Sequence, residues 1–249
     1  MRVLLDKNSQ RSFIKSYWRE GRKALLKSVQ PILARAEHIN PEDLKQQVRR
    51  LLVKGEIEGY IETLYLHTGS YFAYSTAQKL LTKKDDYQLN FWERLYRKYA
   101  AERSAKVTGM ILDTEAENIN RIIDLHVAAG ERAGLGIQDI ANYMRANLER
   151  DLVTMQNFEA ERIARTEVIG ASNRGSFEGA QSTGLDIGKF WMTSGLPNIR
   201  ESHLQYEAEG VVDMDYEYNT GLQFPGDENC QDAGDVINCR CSIGYDDKN

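Results

Sequence analysis

Apolar residues recur through most of this chain at intervals of three and four, the period of an amphipathic helix. Phe13, Tyr17, Leu25 and Val29 trace one such face between Ser9 and about Leu33. A second helix is predicted from Asn40-Pro41-Glu42-Asp43, with Asn40 as cap, Pro41 in the first helical position and acids in the first turn. Its stripe is Leu44, Val48, Leu51 and Leu52, and it is expected to run to Tyr65 with a break near Gly55 or Gly59. Gly69 reads as an interruption. The next stretch, Phe72 to Leu81, ends at the charged turn Lys83-Lys84-Asp85-Asp86. Further helices are predicted over Asn90–Met110, from Asp113-Thr114-Glu115 to Gly130, over Ile137–Leu148, and over Phe158–Thr183. The last carries Ala160, Ala164, Ala171, Gly175 and Gly179, small residues that let another backbone approach closely.

After Gly184 the pattern changes. Ile187 to Thr193 alternates like a strand, and Gly210-Val211-Val212 and Cys241–Tyr245 are the other strand candidates. A short helix is predicted around Glu201–Glu207, and Pro225–Asn229 reads as an open polar loop. The expected fold class is α+β: a mainly helical N-terminal half followed by a small α+β C-terminal module with a short sheet. Residues 1–130 and 131–249 are the expected domains, divided at the loose Gly130–Gly136 stretch.

Charge adds an asymmetry. Residues 1–110 hold 21 Lys and Arg against 12 Asp and Glu, an excess of nine, whereas residues 111–249 hold 11 against 25, a deficit of fourteen, which leaves the net −5. Aromatics and cations interleave near Phe13, Tyr17, Trp18, Arg19 and Arg22, a composition able to hold nucleic acid but more often a packed helix with a solvated face. No apolar run approaches the roughly 20 residues of a membrane span and no signal-peptide core is evident, so a soluble protein made in a cytosol is expected. Thiols stay reduced there, and three cysteines cannot all pair.

Those three cysteines, Cys230, Cys239 and Cys241, lie near the C-terminus with His203 upstream. Three thiols and one imidazole suit the four tetrahedral positions of a structural zinc site. Cys-x-Cys alone is a weak signal, and the rival reading makes Cys230 incidental and the other two buried free thiols. If one of the four were not a ligand, water could take its place and hydrolysis becomes conceivable. No Ser-His-Asp spacing, phosphate-cradling Gly loop or HExxH motif supports an enzyme. His38, His67 and His126 read as surface or satisfied core residues.

Trp191, then Arg200-x-x-His203, then Pro225-Gly226-Asp227 and Asn238-Cys239-Arg240-Cys241 follow one another in order. Ile163-Ala164-Arg165-Thr166-Glu167 and Asn173 precede them. Over roughly residues 130–245 this series resembles the C-terminal module of the phage Mu F-like head morphogenesis (minor head, or minor capsid) family. The resemblance implies a low-copy virion component at the portal vertex, assisting procapsid assembly, DNA packaging or DNA ejection. Its implied partners are the portal protein, expected to be met through the helical residues 1–130, and other head or capsid proteins, with packaged DNA as a further candidate, no membrane, and no catalysis. A DNA-binding virion protein, or a zinc-dependent or toxin-like enzyme, is the alternative. Some branches of the family carry a Cys-x-x-Cys pair where this chain has His203 and an isolated Cys230, which puts the ligand set in question.

Overall fold

Helices dominate the computed structural model, which describes residues 2–81 and 89–248; the predicted charged turn Lys83–Asp86 lies outside the described residues. The elements run β1 (Val3–Leu4), α1 (Lys7–Ser28), α2 (Gln30–Ala36), α3 (Pro41–Leu51), α4 (Lys54–Leu81), α5 (Leu89–Arg132), α6 (Ile137–Ser182), β2 (Ile187–Met192), α7 (Glu201–Ala208), β3 (Val212–Asp213), α8 (Ala233–Val236) and β4 (Ser242–Asp247). The four strands form one antiparallel sheet in the order β1-β4-β2-β3. The expected α+β class, with strand 187–193 in a small C-terminal sheet, is therefore what the chain adopts.

Helix limits differ from the periodicity in instructive places. α1 stops at Ser28 because Pro31 follows in the first turn of α2 and has no N–H to continue the ladder. Asn40 caps α3 as expected, its Oδ1 accepting from Asp43 N at 2.9 Å. The acidic Asp113-Thr114-Glu115 does not open a helix; it sits inside the 44-residue α5. Asp113 there accepts from Arg49 Nε at 2.6 Å, and the buried Glu115 accepts from Gln156 Nε2 at 2.6 Å. Likewise the two helices predicted over 137–148 and 158–183 are one, α6.

Gly69 does not interrupt α4. It is a contact point: a Cβ on Gly175 of α6 would stand 2.3 Å from Gly69 O, and one on Gly179 2.3 Å from Ala73 O. The small residues of α6 thus bring two backbones together as expected. Thr76 and Ser176 close the same crossing with a hydroxyl pair at 2.9 Å.

The chain forms two compact units, each assembled from separate stretches. One comprises Met1–Trp18, Glu62–Ala101 and Arg162–Asn249; the other comprises Arg19–Ile61 and Glu102–Glu161. The boundary expected at 130/131 falls inside the second unit. In the first unit β1 pairs with β4, Val3 opposite Tyr245, so residues 3–4 complete the sheet formed by the later strands. Val3, Leu5, Phe72, Phe177, Phe224, Ile243 and Tyr245 share its core. The second unit buries Leu25, Ile32, Leu44, Val48, Ile61, Ile119, Ile123, Met144 and Leu152. Charge follows the units, not the halves. Unit one carries 17 Lys and Arg against 20 Asp and Glu, and unit two 15 against 17, so −3 and −2. The asymmetry along the sequence is not an asymmetry between folded bodies.

Candidate metal centre

β2 and β4 pair Trp191 with Ile243, which sets the indole at the centre of an aromatic cluster in the first unit. The rings of His203, Tyr206 and Tyr218 lie 5.1, 5.0 and 5.1 Å from it. α7 is clamped to the end of β2 by Glu207, whose carboxylate accepts from Thr193 N and Thr193 Oγ1, both at 2.8 Å. That clamp fixes His203, one helical turn before Glu207, with 1 % of its surface exposed. The strand approach to β4 supplies Cys239 and Cys241, also buried.

His203, Cys239 and Cys241 offer one nitrogen and two sulfurs within 4.8 Å of one another, a buried cluster that could hold a metal ion. His203 Nδ1 is 3.3 Å from Cys241 Sγ and 3.8 Å from Cys239 Sγ. Tetrahedral zinc bonds of about 2.0–2.3 Å place neighbouring donors about 3.4–3.8 Å apart, and both imidazole–sulfur distances lie close to that range. The second nitrogen agrees. His203 Nε2 is buried without a hydrogen-bond partner and stands 3.7 Å from Asp235 Oδ1. An imidazole that binds through Nδ1 carries its proton on Nε2 and turns it toward a carboxylate of this kind.

Asp235 is itself held firmly. Ser202 Oγ, Tyr206 OH and Thr220 Oγ1 all donate to its carboxylate, at 2.9, 3.1 and 3.2 Å. Cys241 N donates to Cys239 Sγ at 3.4 Å, a contact that favours a thiolate there. Hydrogen bonding from Cys239 and from His203 pulls the Cys241 thiol down, while pairing with Cys241 and burial push Cys239 well up. A cation between them would remove both protons, which is how thiolate sites couple metal affinity to pH.

Cys230, expected as the third thiol, is not in the cluster. Its Sγ lies 3.0 Å from Asp232 O and 3.6 Å from Thr220 Oγ1, an engagement set by the N-cap of α8. The Pro225–Asn229 loop that was to deliver it is also not open. Asp227 is fully buried and accepts from Gln223 N, Asn229 N and Asn229 Nδ2, while Gly226, at φ +82°, packs against the Cα of Gly170. The loop is folded back on α6, away from a role as a flexible arm.

α6 organises the module through residues of the motif series. Asn173 is fully buried; its Nδ2 donates to Ile169 O, Pro225 O and Cys241 O, and its Oδ1 accepts from Ile243 N. Arg165 Nη1 donates to Asn238 Oδ1 at 2.5 Å, Thr166 Oγ1 accepts from Asn238 N, and Glu167 accepts from Tyr65 OH at 2.5 Å. Asn238 holds φ +61°, a left-handed conformation that asparagine tolerates, and so turns the chain into the Cys-x-Cys segment. Asp235 was missed because a lone acid four positions before a cysteine carries no pattern.

The other histidines do not join any metal group among the described residues. His126 is buried with Nε2 3.1 Å from Asp151 Oδ2, burial pushing its pKa down; His67 Nδ1 lies 3.3 Å from Tyr17 OH, and His38 is exposed. Lys189 is fully buried and donates to Met214 O at 2.8 Å and Tyr216 O at 2.6 Å, tying β2 to the β3 connection.

Beside the cluster is a cavity of about 370 Å³ whose wall includes Ser194, Asn198, Arg200, His203, Arg240 and Cys241. Among the described residues no helix is long and apolar enough to cross a membrane. No family model matches the chain, and searches of curated proteins and of solved structures return no match.

Proposed function

We propose that the chain is a phage minor head protein, a low-copy structural component bound at the portal vertex that assists procapsid assembly and DNA packaging or ejection. The observation that carries the reading is the convergence of the motif series. Arg165 and Thr166 meet Asn238, and Asn173 meets Pro225, Cys241 and Ile243, so residues more than fifty positions apart act as one network. A series of short motifs that depend on each other in this way supports the resemblance to the Mu F-like module better than any motif alone.

We further propose that His203, Cys239 and Cys241 bind one zinc ion that stabilises this module. Borderline-soft zinc matches an imidazole and two thiolates, and binding would add directly to folding because the unfolded chain has no preformed site. Metal analysis of chain purified without chelator should return about one zinc per chain. A cooperatively folded module with almost none would reject the zinc.

Docking is assigned to the second unit. There Leu125 and Phe158 are 61 % and 70 % exposed and line a groove of about 650 Å³ together with Arg121, Arg132 and Arg150. Large exposed apolar side chains rimmed by charge are the usual form of a protein-binding surface. Co-expression of the full chain with the portal protein of the same phage tests this. The complex should survive gel filtration and be lost in Leu125→Asp/Phe158→Asp without a change in thermal stability. Absence of any complex with portal, procapsid or capsid proteins would overturn the head-protein reading.

A further inference from the structure

His203, Cys239 and Cys241 supply three donors, and a four-coordinate zinc requires one more. We propose that the fourth position is filled from outside the chain, by an oxygen-donor anion of the carboxylate class that enters through the adjoining cavity, and not by Cys230. The inference rests on the zinc reading above.

Three observations carry it. The first is the engagement of Cys230 with Asp232 O and Thr220 Oγ1, which leaves its sulfur outside the group that converges within 4.8 Å. The second is access. His203 and Cys241, two of the three donor residues, line the cavity, whereas Cys239 does not. A closed structural site has no such opening.

The third is the chemistry of the wall. It carries two guanidinium groups, Arg200 and Arg240, and the amide of Asn198, and it includes no acidic side chain. Arg200 Nη2 donates to Ile237 O at 2.6 Å, which anchors that side chain at the rim. Zinc with two thiolates and a neutral imidazole is electrically balanced, and the Asp235 carboxylate beside His203 already adds a negative charge, so an anion at the fourth position needs cationic partners. Two arginines at the entrance supply them, and a planar guanidinium matches a carboxylate by paired hydrogen bonds. Water alone would not call for them. The volume of about 370 Å³ admits a small carboxylate or the end of a peptide chain.

The test uses the full chain. X-ray absorption of the zinc form should report two sulfurs in wild type and the same two in Cys230→Ser. Three sulfurs in wild type would overturn the proposal, because Cys230 would then close the site. In the cobalt(II)-substituted protein, adding acetate should shift the visible d–d bands along a saturable curve, with chloride at equal ionic strength as control. Arg240→Gln, on an exposed side chain, should weaken acetate about tenfold, measured on protein saturated with cobalt. No acetate-dependent change would overturn the anion site. A tetra-alanine peptide with a free C-terminus that binds more tightly than both acetate and its amidated form would identify a chain terminus as the source; equal affinity with acetate would identify a small carboxylate. Failure to bind cobalt or zinc at all would remove the zinc reading itself, an outcome distinct from metal bound with an inert fourth position.

Discussion

Replacing Asn173 by Ala removes a side chain that joins α6, the Pro225 loop and the start of β4. Its amide makes contacts to Ile169 O, Pro225 O, Cys241 O and Ile243 N, at 2.9, 3.0, 3.2 and 3.0 Å. Ile169 O lies within the helix ladder, so its loss matters least. Ile243 N and at least one of the two loop carbonyls would be left buried without partners. Each such orphan costs about 1–3 kcal/mol. Alanine returns about 0.5 kcal/mol through helix propensity, which leaves a net loss of about 3 kcal/mol. Urea unfolding followed by circular dichroism measures it, and amide exchange at Ile243 localises it. Asn173→Asp is the sharper variant, because it keeps the volume and the acceptor to Ile243 N but sets a carboxylate against three carbonyl oxygens. Burial and those oxygens raise the folded-state pKa of the new group above its unfolded value of about 3.9. Its protonated form is therefore the one compatible with folding, and the deficit relative to wild type should shrink as pH falls from 8 to 5. A loss below about 1 kcal/mol for Asn173→Ala, or an Asp variant with no pH dependence, would refute the claim that this amide holds the module together.

Gly175→Ala and Gly179→Ala should each destabilise the first unit by about 1–3 kcal/mol in urea unfolding, since the added Cβ meets backbone oxygens at 2.3 Å and no flexible side chain can yield; a neutral result would mean the helices part without cost. Lys189 has its pKa pushed down to about 8 by burial, so above that pH the unfolded chain binds a proton that the folded one has released. Stability relative to Lys189→Met should therefore rise between pH 8 and 9.5, and a flat or falling difference would contradict the buried ammonium. Cys239→Ser should lower zinc affinity by at least tenfold and increase quenching of Trp191 by iodide, while Cys230→Ser should leave both unchanged.

Most of the helical content was legible because burial and periodicity coincide, as along Leu44 and Val48, both fully buried. Helix limits were not, for a physical reason. Asp113-Thr114-Glu115 has the composition of an N-terminus, but capping only satisfies N–H groups that lack a partner. Inside α5 those groups have partners, and the acids serve Arg49 and Gln156 instead. Gly69 was read as a breaker, yet its value lies in what approaches it, a backbone that arrives from residue 175. β1 was invisible because two residues hold no period, and its pairing with β4 spans nearly the whole sequence.

The candidate site was half legible for a related reason. Residue type pointed to His203, Cys239 and Cys241, because few functions need two thiols and an imidazole near each other, but spacing along the chain could not decide about Cys230. That decision belongs to the loop. Asp232 caps α8 through Gly234 N at 2.7 Å, and the same turn presents Asp232 O to the Cys230 thiol. Asp227 meanwhile fixes the preceding bend by three hydrogen bonds at a fully buried position. Bringing the Cys230 thiol into the group would mean giving up its contacts with Asp232 O and Thr220 Oγ1. A fourth ligand arriving through the cavity requires neither. Under the proposed zinc reading, the local hydrogen bonding of a loop that looked merely polar in sequence is what would separate a closed structural centre from one with an exchangeable position.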